Sequence, residues 1–181
     1  MSDTVNDMIT KIEWLDLHKI NYTLNDDGTF DADEVIIENE YITELPVKFN
    51  RVFRFEVENV LLDSFKNFPT YCAKLSCRFT KIKSLEGIPQ YWIHSNGEKR
   101  QMLTLDFSNN CELESTKGLV DADYINLSFC PKLKLSDEIK NLDFSSISRL
   151  IVDKDVYKEL KKIKRNLTKV GYPQRNYWSM G

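Results

Sequence analysis

A recurring spacing constrains this chain more than any single residue does. The stretch from Leu75 to Pro89, LSCRFTKIKSLEGIP, places apolar or small residues at Leu75, Cys77, Thr80, Ile82 and Leu85, followed by Ile88-Pro89. Leu75 and Cys77 alternate as residues on one face of a strand do. The wider steps after Thr80 fit a curved return segment that keeps delivering apolar side chains to the same core. Twenty residues earlier, Phe55, Val57, Val60, Leu62, Phe65 and Phe68-Pro69 occupy the same offsets. Twenty earlier again come Val35, Ile37, Glu40, Ile42 and Leu45-Pro46. Downstream, Leu105, Phe107, Asn110, Leu113, Thr116 and Leu119 follow a variant with one extra residue, and Ile125, Leu127, Cys130, Leu133, Ser136 and Ile139 repeat it. Leu150 and Val152 read as a last strand. Self-similarity at about twenty residues is the mark of a solenoid, whose units bury a core only by stacking on one another.

The pattern L-x-L-x-x-(N/T/C)-x-L is that of a leucine-rich repeat. The expected fold is therefore α/β: a leucine-rich-repeat solenoid with a curved parallel sheet of about six short strands, closed at both ends. At the N-terminus, Val5, Met8, Ile12 and Leu15 recur at helical spacing, with Trp14 and Leu17 widening the stripe and Ser2 or Asp3 as N-cap. This predicts a helix over 3–18. Tyr22-Thr23-Leu24 and Thr29-Phe30 flank Asn25-Asp26-Asp27-Gly28, a turn sequence that predicts a hairpin. The same residues allow a second reading. With Thr23 at position one, Asn25, Asp27, Gly28, Asp31 and Glu34 fall at positions three, five, six, nine and twelve of a calcium loop, although position one should be Asp.

At the other end, Val156, Leu160, Ile163 and Leu167 predict an amphipathic helix over 155–169, stopped by Gly171 with Pro173 beyond. The whole is one domain: an N-terminal cap (1–34), repeats (35–153) with an inserted hairpin at 90–102, a C-terminal cap helix (154–171) and a tail (172–181). Lys158, Lys161, Lys162, Lys164, Arg165 and Lys169 make the second helix basic, as for a solvated face or a contact with nucleic acid or an acidic partner. The tail YPQRNYWSMG carries Tyr172, Tyr177, Trp178 and Met180, too apolar for a mere spacer.

The segment ITKIEWLDLHKINYTLNDDGTFDADEVIIENEYITELPVKF resembles the N-terminus of irregular leucine-rich-repeat proteins common in tailed bacteriophage genomes. Those proteins run a Trp-Leu helix, a Tyr-Thr-Ile-Asn-x-Asp-Gly-x-Val hairpin and a strand ending in Leu-Thr-x-Leu-Pro. Their later repeats carry Leu-Thr-Ser-Leu-x-Gly-x-Pro, to which Ile82-Lys83-Ser84-Leu85-Glu86-Gly87-Ile88-Pro89 is similar. The resemblance spans roughly residues 9–144 and implies an architecture and a host-cell cytoplasmic setting. It carries no catalytic residues.

Two surfaces stand out as partner-binding candidates. Strand starts lie 20 residues apart from Val35 to Phe55 to Leu75 but 30 apart from Leu75 to Leu105. The extra residues, QYWIHSNGEKRQM, centre on Asn96-Gly97, a strong hairpin signal. Tyr91, Trp92 and Ile93 on one arm, with Lys99 and Arg100 on the other, have the aromatic-plus-Arg makeup of an interface hot spot; alternatively Trp92 and Ile93 fold back onto the solenoid. The second surface is the sheet face turned away from the core, the concave side of the expected arc. Alternation places Arg54, Glu56, Lys74, Arg78, Asp106, Tyr124 and Asn126 there, with Arg149 and Asp153 at its end.

The remaining classes are thin. The net charge is −3, too small for general affinity to nucleic acid or membrane. No apolar run reaches the roughly eighteen residues that span a bilayer. MSDTVNDMITK has neither the basic start nor the apolar stretch of a secretory signal. Cys72, Cys77, Cys111 and Cys130 show no paired C-x-x-C spacing, so they read as reduced thiols of a cytoplasmic chain, with zinc the unfavoured alternative. The two histidines, His18 and His94, join no metal or nucleophile pattern, and no phosphate-binding or nucleophile-elbow motif occurs. The expectation is a non-enzymatic protein-binding module without cofactor, metal or small-molecule substrate, whose partner is a host or phage protein. A virion structural component is the alternative, with a nucleic-acid binder behind it.

Overall fold

The computed structural model describes residues 3–94, 96–163 and 170–172. The end of the expected 155–169 helix, residues 164–169, and the tail from 173 onward lie outside the described residues. Helix α1 (Asp3–Leu17) opens the chain, with Leu15 fully buried and Met8 and Trp14 packed on the core. It ends at Lys19, whose φ of 55° reverses the chain so that Ile20 drops into the core. His18 fastens this cap to the first coil. Its Nδ1 lies 2.8 Å from the Trp14 carbonyl and its Nε2 lies 3.1 Å from a Glu40 carboxylate oxygen.

Strands β1 (Tyr22–Leu24) and β2 (Phe30–Glu38) pair antiparallel across the Asn25–Gly28 turn, as a hairpin. The oxygens of the calcium-loop reading are engaged within the fold. Asp31 Oδ1 accepts from Asn25 Nδ2, Asn50 Nδ2 and the Arg51 amide, Asp27 Oδ1 accepts from Thr29, and Glu34 accepts from Arg54. Among the described residues, no group of three or more His, Cys, Asp or Glu side chains is arranged to hold a metal ion.

From β2 onward the chain is a parallel-sheet solenoid. Strands β3 (Phe49–Glu58), β4 (Tyr71–Arg78), β7 (Met102–Asp106), β8 (Ala122–Leu127), β9 (Arg149–Val152) and β10 (Val170–Gly171) add one after another to the same sheet. The register aligns Val35, Phe55, Leu75, Leu105, Ile125 and Leu150 in one buried column. Ile37, Val57 and Cys77, then Leu127 and Val152, form its neighbour. The column is the twenty-residue period made physical: equal offsets in sequence become one stack in space. Between β4 and β7, strands β5 (Trp92–Ile93) and β6 (Lys99–Arg100) make the inserted hairpin as a separate two-stranded sheet.

Strands β2, β3, β4, β7 and β8 each exit through one left-handed residue. Asn39, Asn59, Phe79, Asn109 and Phe129 have φ of 59°, 55°, 53°, 62° and 59°. In the last three of these coils the next position holds the repeat's Thr80, Asn110 or Cys130, where the first two have Glu40 and Val60, and at Asn110 its chemistry is complete. Fully buried, Asn110 accepts from the Thr80 amide (2.7 Å) and hydroxyl (2.9 Å) and donates to the carbonyls of Cys77 (2.6 Å) and Phe107 (2.8 Å). One amide thereby ties two successive coils. In the next coil the Cys130 thiol donates to the same Phe107 carbonyl.

Two sequence expectations need correction. The early strands begin upstream of Val35, Phe55 and Leu75, because Phe30 pairs with Phe49, and Ala32, Val52 and Cys72 form a further row. The pairing is irregular between Phe30 and Ala32, and two residues instead of one separate buried Val52 from buried Phe55, so the alternation breaks there. At the C-terminus, α2 (Lys154–Ile163) buries Val156 and Leu160 but leaves Ile163 exposed. The expected cap range 154–171 does not hold to its end. Val170 and Gly171 pair in parallel with Leu150 and Ile151, giving the otherwise open edge of β9 a partner. No helix among the described residues is long and apolar enough to cross a membrane.

Candidate functional site

The inserted hairpin is clipped to the start of β4 by the Cys72 amide, which donates to the Tyr91 carbonyl. Its two arms pair Trp92 with Arg100 and Ile93 with Lys99, and the turn closes with the Gly97 amide donating to the His94 carbonyl. Trp92 does not enter the solenoid core. Its ring meets Phe53 of β3 edge-on, centroids 5.5 Å apart, and Phe53 itself is 38% exposed. Lys74 Nζ lies over the Phe53 ring, 5.3 Å from its centroid. Beside this pair, Tyr91 and Tyr71 stack at 5.3 Å and Lys99 Nζ sits 4.4 Å from the Tyr91 ring. The Lys99 ammonium, hydrogen-bonded to the Tyr91 hydroxyl, holds that phenol below its usual range, and the phenol raises the lysine in return.

The result is a platform of four half-exposed rings interleaved with two ammonium groups, built from β3, β4 and the hairpin. Aromatic side chains held by neighbours offer large contact area with little rotamer entropy left to lose. A groove of about 420 Å³ runs from Trp92 to Tyr22 of the N-terminal hairpin, floored by Ala32, Asp33 and Arg51. Ile93 is half-buried, while Lys99 and Arg100 are exposed. Arg100 is paired with Glu98 at 2.8 Å, which shapes the tip without using up its exposure.

The outward sheet face carries the other expected residues, most of them already engaged. Arg54 is held between Glu34 (2.6 Å) and Glu56 (2.8 and 2.9 Å), and Arg78 is paired with Glu58. Asp106 and Asn126 are turned to the strand ends, where they accept from the Ser108 and Ser128 amides. Tyr124 is half-buried, and that burial raises its phenol above the usual range. Asp153, expected on this face, instead caps the previous coil by accepting from the Phe129 and Cys130 amides at 2.9 Å each. Of the residues expected on this face, Lys74 alone joins the hairpin platform.

Phe53 and Tyr71 escaped sequence reasoning. Both stand upstream of the expected strand starts, in the region where alternation breaks. By strict alternation Phe53 falls in phase with Phe55 and Val57 and would read as core, and the break after Val52 turns it outward instead. No protein-family model matches the chain, and neither does any curated protein or solved structure.

Proposed function

We propose that this chain is a non-enzymatic protein-binding module of the irregular leucine-rich-repeat type common in tailed bacteriophage genomes, acting on a host protein in the infected cell's cytoplasm. The observation that carries the reading is the placement of Trp92. It is held against Phe53 and borders an open groove on the outside of the solenoid, so its surface remains available to a partner. A core-filling role would have put the ring inside the stack of Leu75 and Leu105. Trp, Tyr and Arg are the residues that dominate binding energy at protein interfaces, particularly on rigid supports. The mutually paired charges of the outward sheet face add orientation more than affinity.

Affinity capture from a lysate of the bacterial host tests this, using the wild-type chain, the Trp92→Ala/Arg100→Ala double variant and a Tyr124→Ala variant. The expected result is one stoichiometric host protein retained by wild type, reduced at least tenfold by the double variant and little changed by Tyr124→Ala. Truncating a hot-spot residue removes about 2 kcal/mol or more, which sets that factor. Retention unaffected by the hairpin changes overturns the assignment of the site.

A further inference from the structure

A second groove lies at the opposite strand ends, where β2, β3 and β4 leave the sheet. It encloses about 430 Å³ and is lined by Glu38, Asn39, Glu58, Asn59 and Phe79. The Asn59 amide donates to Asn39 Oδ1 at 2.7 Å, tying two turns together as the floor. Phe79 is the wall. Its backbone is left-handed at φ 53°, a state that three equivalent turns fill with Asn39, Asn59 and Asn109 and a fourth with Phe129. Asn tolerates that state through its short polar side chain; a bulky residue does so only under strain. Yet the Phe79 ring serves no buried purpose that would offset the strain, being 51% exposed. Strain kept at an exposed aromatic is a pointer to use.

The charged side chains that line this groove are acidic, with Arg78 beside one of them. Both charged side chains lining it are glutamates. Glu58 is bonded to Arg78, whereas Glu38 is exposed and makes no ion pair among the described residues. The wider field agrees. Residues 1–63 hold fifteen Asp and Glu against five Lys and Arg, while residues 64–181 hold thirteen against twenty. The near-neutral total thus conceals an acidic N-terminal third that draws basic partners toward this end.

We propose that the groove receives an arginine or lysine side chain from a basic segment of the partner protein. The alkyl stem lies along the Phe79 ring and the charged head reaches Glu38. Only long basic side chains combine an apolar stem with a cationic head, and both aromatic face and carboxylate favour that head. The proposal rests on the protein-binding reading above but on a different face from the hairpin.

The test is a ¹⁵N NMR titration of the intact chain with a six-residue oligo-arginine peptide, with an oligo-glutamate peptide as control. The variants are Glu38→Gln and Phe79→Asn, the latter installing the residue that three of the equivalent turns already carry. Saturable shifts of the Asn39, Asn59 and Phe79 amides with the arginine peptide alone are expected, weakened about three- to fivefold in each variant. Unmoved groove amides, shifts spread evenly over the acidic surface, or unchanged binding by either variant would overturn the proposal. Host-protein capture that depends on Trp92 while this titration fails refutes the groove and leaves the binding module standing.

Discussion

Replacing Asn110 with Ala is the sharpest test of how the coils are joined. The side chain is fully buried, and its amide fills all four of its hydrogen-bonding positions, two accepted from Thr80 and one donated to each of the Cys77 and Phe107 carbonyls. Alanine would leave a peptide N–H, a hydroxyl and a carbonyl of one coil, and a carbonyl of the next, short of these partners. The Cys130 thiol still reaches Phe107, and the Thr80 hydroxyl can rotate, so two of the four losses are softened. Each stranded buried group costs about 1–3 kcal/mol, and the vacated volume adds to this. We expect a loss of about 3–5 kcal/mol, a large part of the roughly 5–15 kcal/mol that holds a domain together. Urea unfolding followed by circular dichroism measures it, with an unchanged slope against denaturant if the unfolded state is unaltered. Thr80→Val, alone and combined with Asn110→Ala, closes a double-mutant cycle and should show coupling of about 1 kcal/mol or more. A loss under about 1 kcal/mol, or additive variants, would mean that Asn110 does not bridge the coils.

Phe79→Asn should raise stability by about 1 kcal/mol, because it relieves the left-handed backbone at an exposed site; thermal or urea unfolding reads this, and a destabilised variant contradicts it. Cys111 is the exposed thiol, while Cys72, Cys77 and Cys130 are buried, so a thiol reagent should modify one cysteine rapidly in the folded chain and four after denaturation. Burial pushes the Cys72 and Cys130 thiols up to about 12 and Cys77 well above its ordinary value. An unfolded thiol ionises near ~8.5. The folded state therefore keeps the full contribution of these neutral thiols below that value and loses it progressively as pH rises toward 12. Stability measured across this window should fall with pH, and a Cys72→Ala/Cys130→Ala chain should show a shallower fall.

How much of this was legible in the sequence follows from where one periodicity rules. Leu75 and Cys77 announced their strand because core positions there alternate strictly and stack at fixed offsets. The Asn96-Gly97 turn announced the insertion because its backbone demands are local. Phe53 was hidden because two outward residues separate Val52 from Phe55, and that break sits where the hairpin lands. Val170 and Gly171 were read as the end of a helix, since glycine after a basic amphipathic run ordinarily marks one. Nothing local reveals that β9 still has an open edge to fill. The Asn39–Asn59–Phe79 groove likewise forms only once the coils are stacked, because its members are twenty residues apart and nothing in the repeat spacing says that their side chains enclose a groove.

The central claim is that a protein partner seats on the Trp92 platform. Hydrogen–deuterium exchange of the captured complex against the free chain tests it most directly. The account predicts slowed exchange at Trp92, Ile93, Lys99 and Arg100 and at Phe53 and Lys74 beneath them, with α2 unchanged. Protection confined to α2, or to the return segments between strands, with the hairpin exchanging as in the free chain, would contradict it.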